Sequence, residues 1–451
     1  MDPPRTQPRL NFRHGQYHWL AAACWLLLFM LVALMPLVLA WVGDRPGRGW
    51  LIEMGTGLGL VGLGLMVVQA WTSGRQVWIA PSFGADNLMH FHRHLGLFAV
   101  LMALAHPLTL VISDPDYLGF LDPRVDWMRA AALWALSAAL LLVAVSSYFR
   151  ESLGLSYEMW RLLHGALALA ILALALGHAL AVGHHLGEPW KQALLVILVG
   201  SAIYLVVHSR LVRPLLSRRK PWQVTAVEPE RGDTWTLSFE PVGHEGMAFE
   251  PGQYAWFTLG DSPLALQQHP FSIACAAGSR KLCFSANESG DFTDSLKHVK
   301  PGTPAWIEGP YGSFVPDRDP SVGLFLAVGG IGITPMMSML RSFRQNDEKR
   351  RIVLLYANPD LDQAAFAEEL DELARQLPLE VVHILEEPPE DWQGESGRID
   401  EALISRYLHH LDDPVQYMTC GPGPLMDEVE TALRSQGVDW QRIFSERFQI
   451  V

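Results

Sequence analysis

The chain has 451 residues, half of them apolar and 18% charged, with a mean hydropathy above zero. Charge divides it near residue 220: 17 Lys and Arg stand against 11 Asp and Glu before that point, and 17 against 36 after it. A single soluble globule and wholesale disorder are both excluded, and the acidic second half argues against nucleic acid as a partner. The four cysteines, Cys24, Cys275, Cys283 and Cys420, have no CxxC or other paired spacing, so neither a disulfide framework nor a zinc site is indicated.

Six apolar stretches, near 18–41, 51–71, 88–112, 127–148, 158–182 and 190–212, each approach or exceed the roughly 20 residues needed to cross a bilayer. With the N-terminus inside, twelve basic residues fall on the cytoplasmic side and five, Arg45, Arg48, Arg124, Arg129 and Lys191, on the outer side. That bias predicts cytoplasmic N- and C-termini and a cytoplasmic second half.

Ionisable groups inside spans are costly and usually functional, and here they are histidines. His92 and His106 in the third span are 14 residues apart, as are His164 and His178 in the fifth. At about 100° per residue, 14 steps end within about 40° of four full turns, so each pair shares a helix face with a rise of about 21 Å. Spans three and five run in the same direction, which sets His92 level with His164 and His106 with His178. A lone membrane histidine is often only a helix–helix hydrogen bond. Two identical spacings on parallel helices instead predict bis-histidine ligation of two b-type haems. His90 and His94 point away from that face and are expected at the interface. Arg93 and Arg161 sit beside the inner pair, either as partners of haem propionates or as ordinary cytoplasmic anchors.

After Arg218-Arg219-Lys220 the pattern changes to short alternating strands at Trp222–Glu228, Thr234–Glu240, Tyr254–Leu259 and Leu282–Ala286, which predicts a small antiparallel barrel. From residue 322 strands alternate with helices. Strands at Val322–Val328, Arg351–Ala357, Glu380–Glu386 and Gln416–Cys420, with helices near 362–376 and 424–435, predict a parallel α/β unit. Its nucleotide is expected at the carboxyl ends of the strands. The expected organisation is a six-span all-α bundle over 1–216, an antiparallel β-barrel over 217–318 and an α/β nucleotide-binding domain over 319–451.

Five motifs follow in order: Pro251-Gly252-Gln253-Tyr254, His269-Pro270-Phe271-Ser272, Gly309-Pro310-Tyr311-Gly312, Gly329-Gly330-Ile331-Gly332-Ile333-Thr334-Pro335 and Cys420-Gly421-Pro422. They resemble the flavin and pyridine-nucleotide motifs of ferredoxin–NADP reductase-type domains. Joined to six spans with paired histidines, the chain resembles the ferric reductase and NADPH oxidase superfamily, most closely its compact prokaryotic members. The resemblance implies FAD at the barrel, with His269 near its phosphate or ribitol, Phe271 on the isoalloxazine and Ser272 near its reactive nitrogen. A plain barrel strand is the other reading of Phe271 and Ser272. Gly290 and Thr293 open a short helix that suits the FAD pyrophosphate, or a plain helix cap.

Gly329, Gly330 and Gly332 let the backbone approach a dinucleotide pyrophosphate, with Thr334 and Pro335 at the helix start. By the same resemblance Tyr311 and Cys420 flank the nicotinamide, with Gly421 and Pro422 after them; a small buried core cysteine is the alternative for Cys420. Phe448 is the candidate aromatic covering the flavin. Relatives preferring NADPH often carry an arginine after the strand matching Leu354-Leu355-Tyr356. Here Ala357-Asn358-Pro359-Asp360 follows without one, so NADH is as admissible as NADPH.

The implied path runs from NAD(P)H to FAD, the inner haem (His92, His164), the outer haem (His106, His178) and an outside acceptor, oxygen or ferric iron. No obligatory protein partner is expected. A periplasmic protein acceptor, or a haem-binding membrane protein with a vestigial reductase half, are the alternatives. Asp114, Asp116, Asp122 and Asp126 in the outer loop, and His184-His185 on the same side, offer ligands for a cation such as ferric iron. The expected location is the inner membrane of a bacterium.

Overall fold

In a computed structural model the described residues are 18–43, 47–73, 79, 83 and 85–447. The chain divides into two compact units, one spanning Ala22–Arg213 and the other continuing from Pro214.

The first unit is all helical: α1 His18–Trp41, α2 Trp50–Thr72, α3 Ala85–Ser113, α4 Trp127–Tyr148, α5 Tyr157–Val182 and α6 Pro189–Val207, the last continuing through a π-helical turn, His208–Val212, into Arg213–Ser217. All six are long and apolar enough to cross a membrane, and this is a multi-pass membrane protein. Large apolar side chains such as Leu97, Leu101, Leu108 and Ile112 on α3 face outward, a surface that only lipid suits. His90 and His94 are exposed as well.

The inner layer is organised by α2. Its glycines let neighbouring backbones come close, as small residues do between membrane helices. A Cβ at Gly64 would fall 2.1 Å from the Ala33 carbonyl oxygen on α1, and one at Gly62 would lie 3.3 Å from the Ala103 nitrogen on α3.

The second unit begins with a six-stranded antiparallel sheet: β1 Trp222–Glu230, β2 Thr234–Pro241, β3 Tyr254–Leu259, β4 His269–Ser272, β5 Leu282–Asn287 and β6 Pro304–Tyr311, in the order β4-β3-β6-β1-β2-β5. Its two edges meet where Ile273 pairs with Phe284 and the Ala274 N–H donates to the Cys283 carbonyl at 2.8 Å. The sheet therefore curls into a barrel around Val224, Phe239, Phe257, Leu282 and Phe284. Sequence alternation missed β6, whose prolines and glycine weaken the period-2 signal, and β4 confirms the barrel strand that is the other reading of Phe271 and Ser272.

A short helix, α7 Asp291–Ser295, precedes β6. The remaining strands are β7 Gly323–Gly329, β8 Ile352–Asn358, β9 Leu379–Leu385, β10 Glu395–Ser396, β11 Val415–Cys420 and β12 Ile443–Glu446, all parallel, in the order β10-β9-β8-β7-β11-β12. Helices α8 Ile333–Gln345 and α9 Ala367–Gln376 cover one face, α10 Glu401–Leu408 and α11 Gly423–Ser435 the other. Alternation along β7 shows why: Leu324, Leu326 and Val328 enter the first core, Phe325 and Ala327 the second.

Helix α9 starts five residues later than the 362–376 expected. Asp360 accepts from the Gln363 N–H at 2.9 Å, closing a turn after Pro359, and Phe366 at φ 61° marks the helix start.

Candidate functional site

Two sites emerge, one in each unit. In the helical unit the rings of His92 and His164 have centroids 6.2 Å apart, and those of His106 and His178 6.1 Å apart. Neither pair is hydrogen-bonded together, and each gap leaves room for one metal ion with nitrogen bonds of about 2 Å on both sides. The Nδ1 of His106 lies 2.8 Å from the Gly55 carbonyl. A carbonyl only accepts, so Nδ1 carries the proton and Nε2 keeps its lone pair for a ligand.

His164 is set the same way from a different element. Its Nδ1 is 3.1 Å from the Ser147 hydroxyl on α4, which itself donates to the Val143 carbonyl at 2.6 Å. With its single hydrogen spent, the Ser147 oxygen accepts from Nδ1–H and again leaves Nε2 free. The Nδ1 of His92 is buried without a hydrogen-bond partner among the described residues, while Gln69 on α2 holds the His92 carbonyl at 2.9 Å.

Glycine makes space for one of these rings. A Cβ at Gly59 would sit 2.9 Å from the His106 ring. Gly55, Gly59, Gln69 and Ser147 were not singled out in the sequence. The i, i+4 glycines of α2 were the available signal. Of the two arginines beside the inner pair, Arg161 lies 5.8 Å from the Tyr157 ring and Arg93 is exposed. In the 113–126 loop, Asp114, Asp122 and Asp126 each accept from a nearby backbone N–H, closing turns.

In the second unit, His269 stacks on Phe292 with centroids 3.9 Å apart, and Phe271 stacks on Phe257 at 4.9 Å. Pro270 is half-buried and Ser272 is buried at the end of β4. Tyr254 and Tyr311 stack at 5.8 Å, and the Tyr311 hydroxyl donates to Glu308 at 2.5 Å. Gly252, at φ 92°, must be glycine, because a Cβ would lie 2.0 Å from the Phe314 carbonyl oxygen. Gly309 passes close to Ala255, and Gly312 close to the Tyr254 ring; Pro310 lies between them. Thr293 uses its hydroxyl within its own turn, donating to the Gly290 carbonyl and accepting from the Ser289 N–H.

Sheet order reverses between β7 and β11, and the two glycine motifs lie outside the carboxyl ends of those strands, where open α/β sheets bind ligands. The motifs also touch. A Cβ at Gly332 would fall 2.3 Å from the Cys420 carbonyl oxygen, and Gly329 adjoins Pro422 and Gly421. Thr334 is buried and donates back to the Ile331 carbonyl at 2.8 Å, ahead of buried Pro335. Cys420 is fully buried. Phe448 lies outside the described residues.

Three further groups escaped the sequence reading. The segment after His269–Ser272 is bolted to α8, the helix that follows the glycine turn. Arg341 donates to the Ala274 carbonyl at 2.8 Å and pairs through its fork with Glu369, while Ser338 donates to the Cys275 carbonyl and the Ala277 N–H donates to Ser342. Arg341's guanidinium is buried, which lowers its pKa, but the pairing with Glu369 outweighs that and holds it above its usual value. At the end of β8 a basic residue reaches over from the barrel: Arg231 donates to the Leu361 carbonyl at 3.1 Å and is held by the carboxylates of Glu368 and Asp362. Cys275 and Cys283 also meet, the Cys283 N–H donating to the Cys275 sulfur at 2.9 Å. Cys275 and Cys283 aside, these pairs are distant in sequence, which is why no local pattern announced them.

Residues 58–175 match the family described as ferric reductase like transmembrane component, 223–315 an FAD-binding domain and 326–431 an oxidoreductase NAD-binding domain. NADH-cytochrome b5 reductase 1 of Debaryomyces hansenii is 30% identical over 190 residues, covering 41% of this chain and 66% of that protein. The protein of that name in Lodderomyces elongisporus is 30% identical over 173 residues, 38% of this chain and 58% of its own length. The chain thus spans about 60% of the length of these relatives. Among solved structures, the flavohemoglobin of Malassezia yamatoensis with bound FAD and heme is 18% identical, with a TM-score of 0.47 over 88% of this chain and 98% of that one. The FAD/NAD-binding domain of nitric oxide dioxygenase from Vibrio cholerae is 22% identical, with a TM-score of 0.45 over 51% of this chain and 98% of that one. The chain is an oxidoreductase, and a ferric reductase transmembrane component followed on one polypeptide by FAD-binding and NAD-binding domains makes it a member of the ferric reductase and NADPH oxidase superfamily with ferredoxin–NADP reductase-type domains.

Proposed function

We propose that this protein carries electrons from NAD(P)H across a membrane to a small acceptor on the far side, oxygen or ferric iron. The observation that carries the reading is the pair of facing histidine couples on α3 and α5, 6.2 Å and 6.1 Å between ring centroids. The donor set fits two b-type haems: neutral imidazoles, at least two with the proton held on Nδ1 by Gly55 and Ser147. FAD, when bound, splits a hydride's two electrons for delivery one at a time to the haems.

The chain's own work is binding and orientation. His269, Phe271 and Ser272 with Tyr254, and the turn Gly290–Thr293, are the residues assigned to the flavin. The Gly329–Pro335 turn and Cys420–Pro422 are assigned to the dinucleotide, with Tyr311 at the nicotinamide. The Arg341 bolt ties the flavin segment to the nucleotide helix, so one cannot shift without the other. At the end of β8, Asp362 and Glu368 hold Arg231 and Asp360 adds a further carboxylate to that stretch, which favours NADH over a 2′-phosphate. The compact chain and its family likeness support the inner membrane of a bacterium as its location, and the basic-residue bias supports a cytoplasmic reductase half.

The test begins with purified protein. Two haems per chain are expected, falling to about one in His106→Ala. Reduced anaerobically with NADH, the protein is then mixed with oxygen or ferric citrate. Fast reoxidation by oxygen with superoxide release makes it an oxidase; fast reoxidation by iron alone makes it a ferric reductase. Absence of any haem band sinks the reading.

A further inference from the structure

We propose that Glu53, His184 and His185 form a binding site for one divalent first-row transition ion of nitrogen and oxygen preference, zinc or ferrous iron. The three side chains come from different places. Glu53 lies in the first turn of α2, and the two histidines lie in the turn that follows α5. One ligand atom from each falls within 4.8 Å of the others, and all three residues are half-buried. Metal–ligand bonds of about 2.0–2.2 Å span nearly that width, so small side-chain rotations bring all three onto one ion. Two imidazoles and one carboxylate are a donor set that such ions take, and one that leaves positions open.

The surroundings support this use. His185 Nε2–H donates to Glu53 Oε2 at 2.7 Å, so the two atoms that would ligate are already adjacent, and a bound ion would take the place of the shared proton. The other carboxylate oxygen of Glu53 accepts from the Arg48 backbone N–H at 3.1 Å and its Nε at 3.4 Å, which fixes the rotamer without occupying Oε2. Lys191, fully buried, donates to the Val42 and His185 carbonyls and faces Glu188 at 3.6 Å. Both nearby cations are therefore matched, Arg48 by Glu53 and Lys191 by Glu188. Lys191 also anchors the backbone of a ligand residue, a role typical of the groups behind a metal's own ligands. The acidic 113–126 loop offers no such convergence, since three of its four aspartates close local turns.

The site lies two residues along α2 from Gly55, whose carbonyl orients His106. A bound ion would pin the turn after α5 to the start of α2, at the end of the bundle where the His106–His178 pair sits.

The experiment uses the full chain in detergent, stripped with a chelator and titrated with Zn2+ against a competing chelator. One zinc per chain is expected, weakened at least about tenfold in His184→Gln and in Glu53→Gln, and unchanged in Asp116→Asn. Zinc-edge X-ray absorption of the wild-type protein should show imidazole scattering from two histidines, and this decides the matter if the variants fail to fold. No stoichiometric zinc, equal loss in Asp116→Asn, or an edge spectrum of oxygen ligands alone would overturn the proposal.

Discussion

Single atoms decide the tautomer of two of the four histidines. Because the Gly55 carbonyl can only accept, and the Ser147 hydroxyl has spent its hydrogen on the Val143 carbonyl, the protons of His106 and His164 are confined to Nδ1. Ser147→Ala removes one acceptor and makes His164 a weaker base. Haem content should be retained while one midpoint potential rises, as read in a redox titration; two unchanged potentials would refute the assignment. At Gly59 an added methyl meets the His106 ring at 2.9 Å, whereas at Gly57 it meets only a Leu37 methyl at 3.5 Å. Overpacking of the first kind costs about 1–3 kcal/mol. Gly59→Ala should therefore lower the haem-to-protein ratio and Gly57→Ala should not. None of this was legible in the sequence. The histidine spacing was, because a helix's periodicity is local, whereas the tautomer depends on which neighbouring helix supplies a carbonyl or hydroxyl.

Among elements, the consequential contact joins the strand end at Ile273–Ala277 to α8. Arg341 is largely buried and satisfies both Glu369 and the Ala274 carbonyl. Breaking a buried pair leaves its partner uncompensated and costs about 3–5 kcal/mol; some solvent reaches this one, so about 2–3 kcal/mol is expected for Arg341→Ala. The thermal midpoint of the reductase half should fall and flavin should dissociate more readily, while Arg341→Lys, which keeps charge without the fork, should be intermediate. An unchanged midpoint in calorimetry would show that the bolt is ornamental. The strands that the sequence showed plainly, such as β7 and β8, are those buried on both faces, where every position must be apolar. Strands β10 and β12 escaped because short edge strands carry too few residues for a period to register, and β6, long and central, because its two prolines and a glycine break the alternation.

For the molecule as a whole, the proposed coenzyme preference draws on both reductase domains. The arginine at the end of β8 comes from the β1–β2 turn of the barrel and is held by carboxylates from the α/β half. NADH should be preferred over NADPH in kcat/KM. Glu368→Gln, which releases Arg231, should narrow that preference by about tenfold, or ~1.4 kcal/mol, most clearly at low salt. Steady-state kinetics with both coenzymes checks it; a preference for NADPH in the unaltered protein would contradict the electrostatic argument.

What the sequence determined by itself were the properties carried by local repetition: six apolar lengths, two histidine pairs fourteen residues apart, a parallel α/β pattern and an ordered set of glycine motifs. Each follows from the solvent around one segment, lipid or protein interior, and from the geometry of one helix or turn. Only the tertiary structure decided which residues stand behind those histidines, that Glu53 meets His184 and His185, that Arg341 joins the segment after β4 to α8 and that Arg231 reaches the end of β8. Those contacts join residues up to 137 positions apart, and packing, not periodicity, selects them.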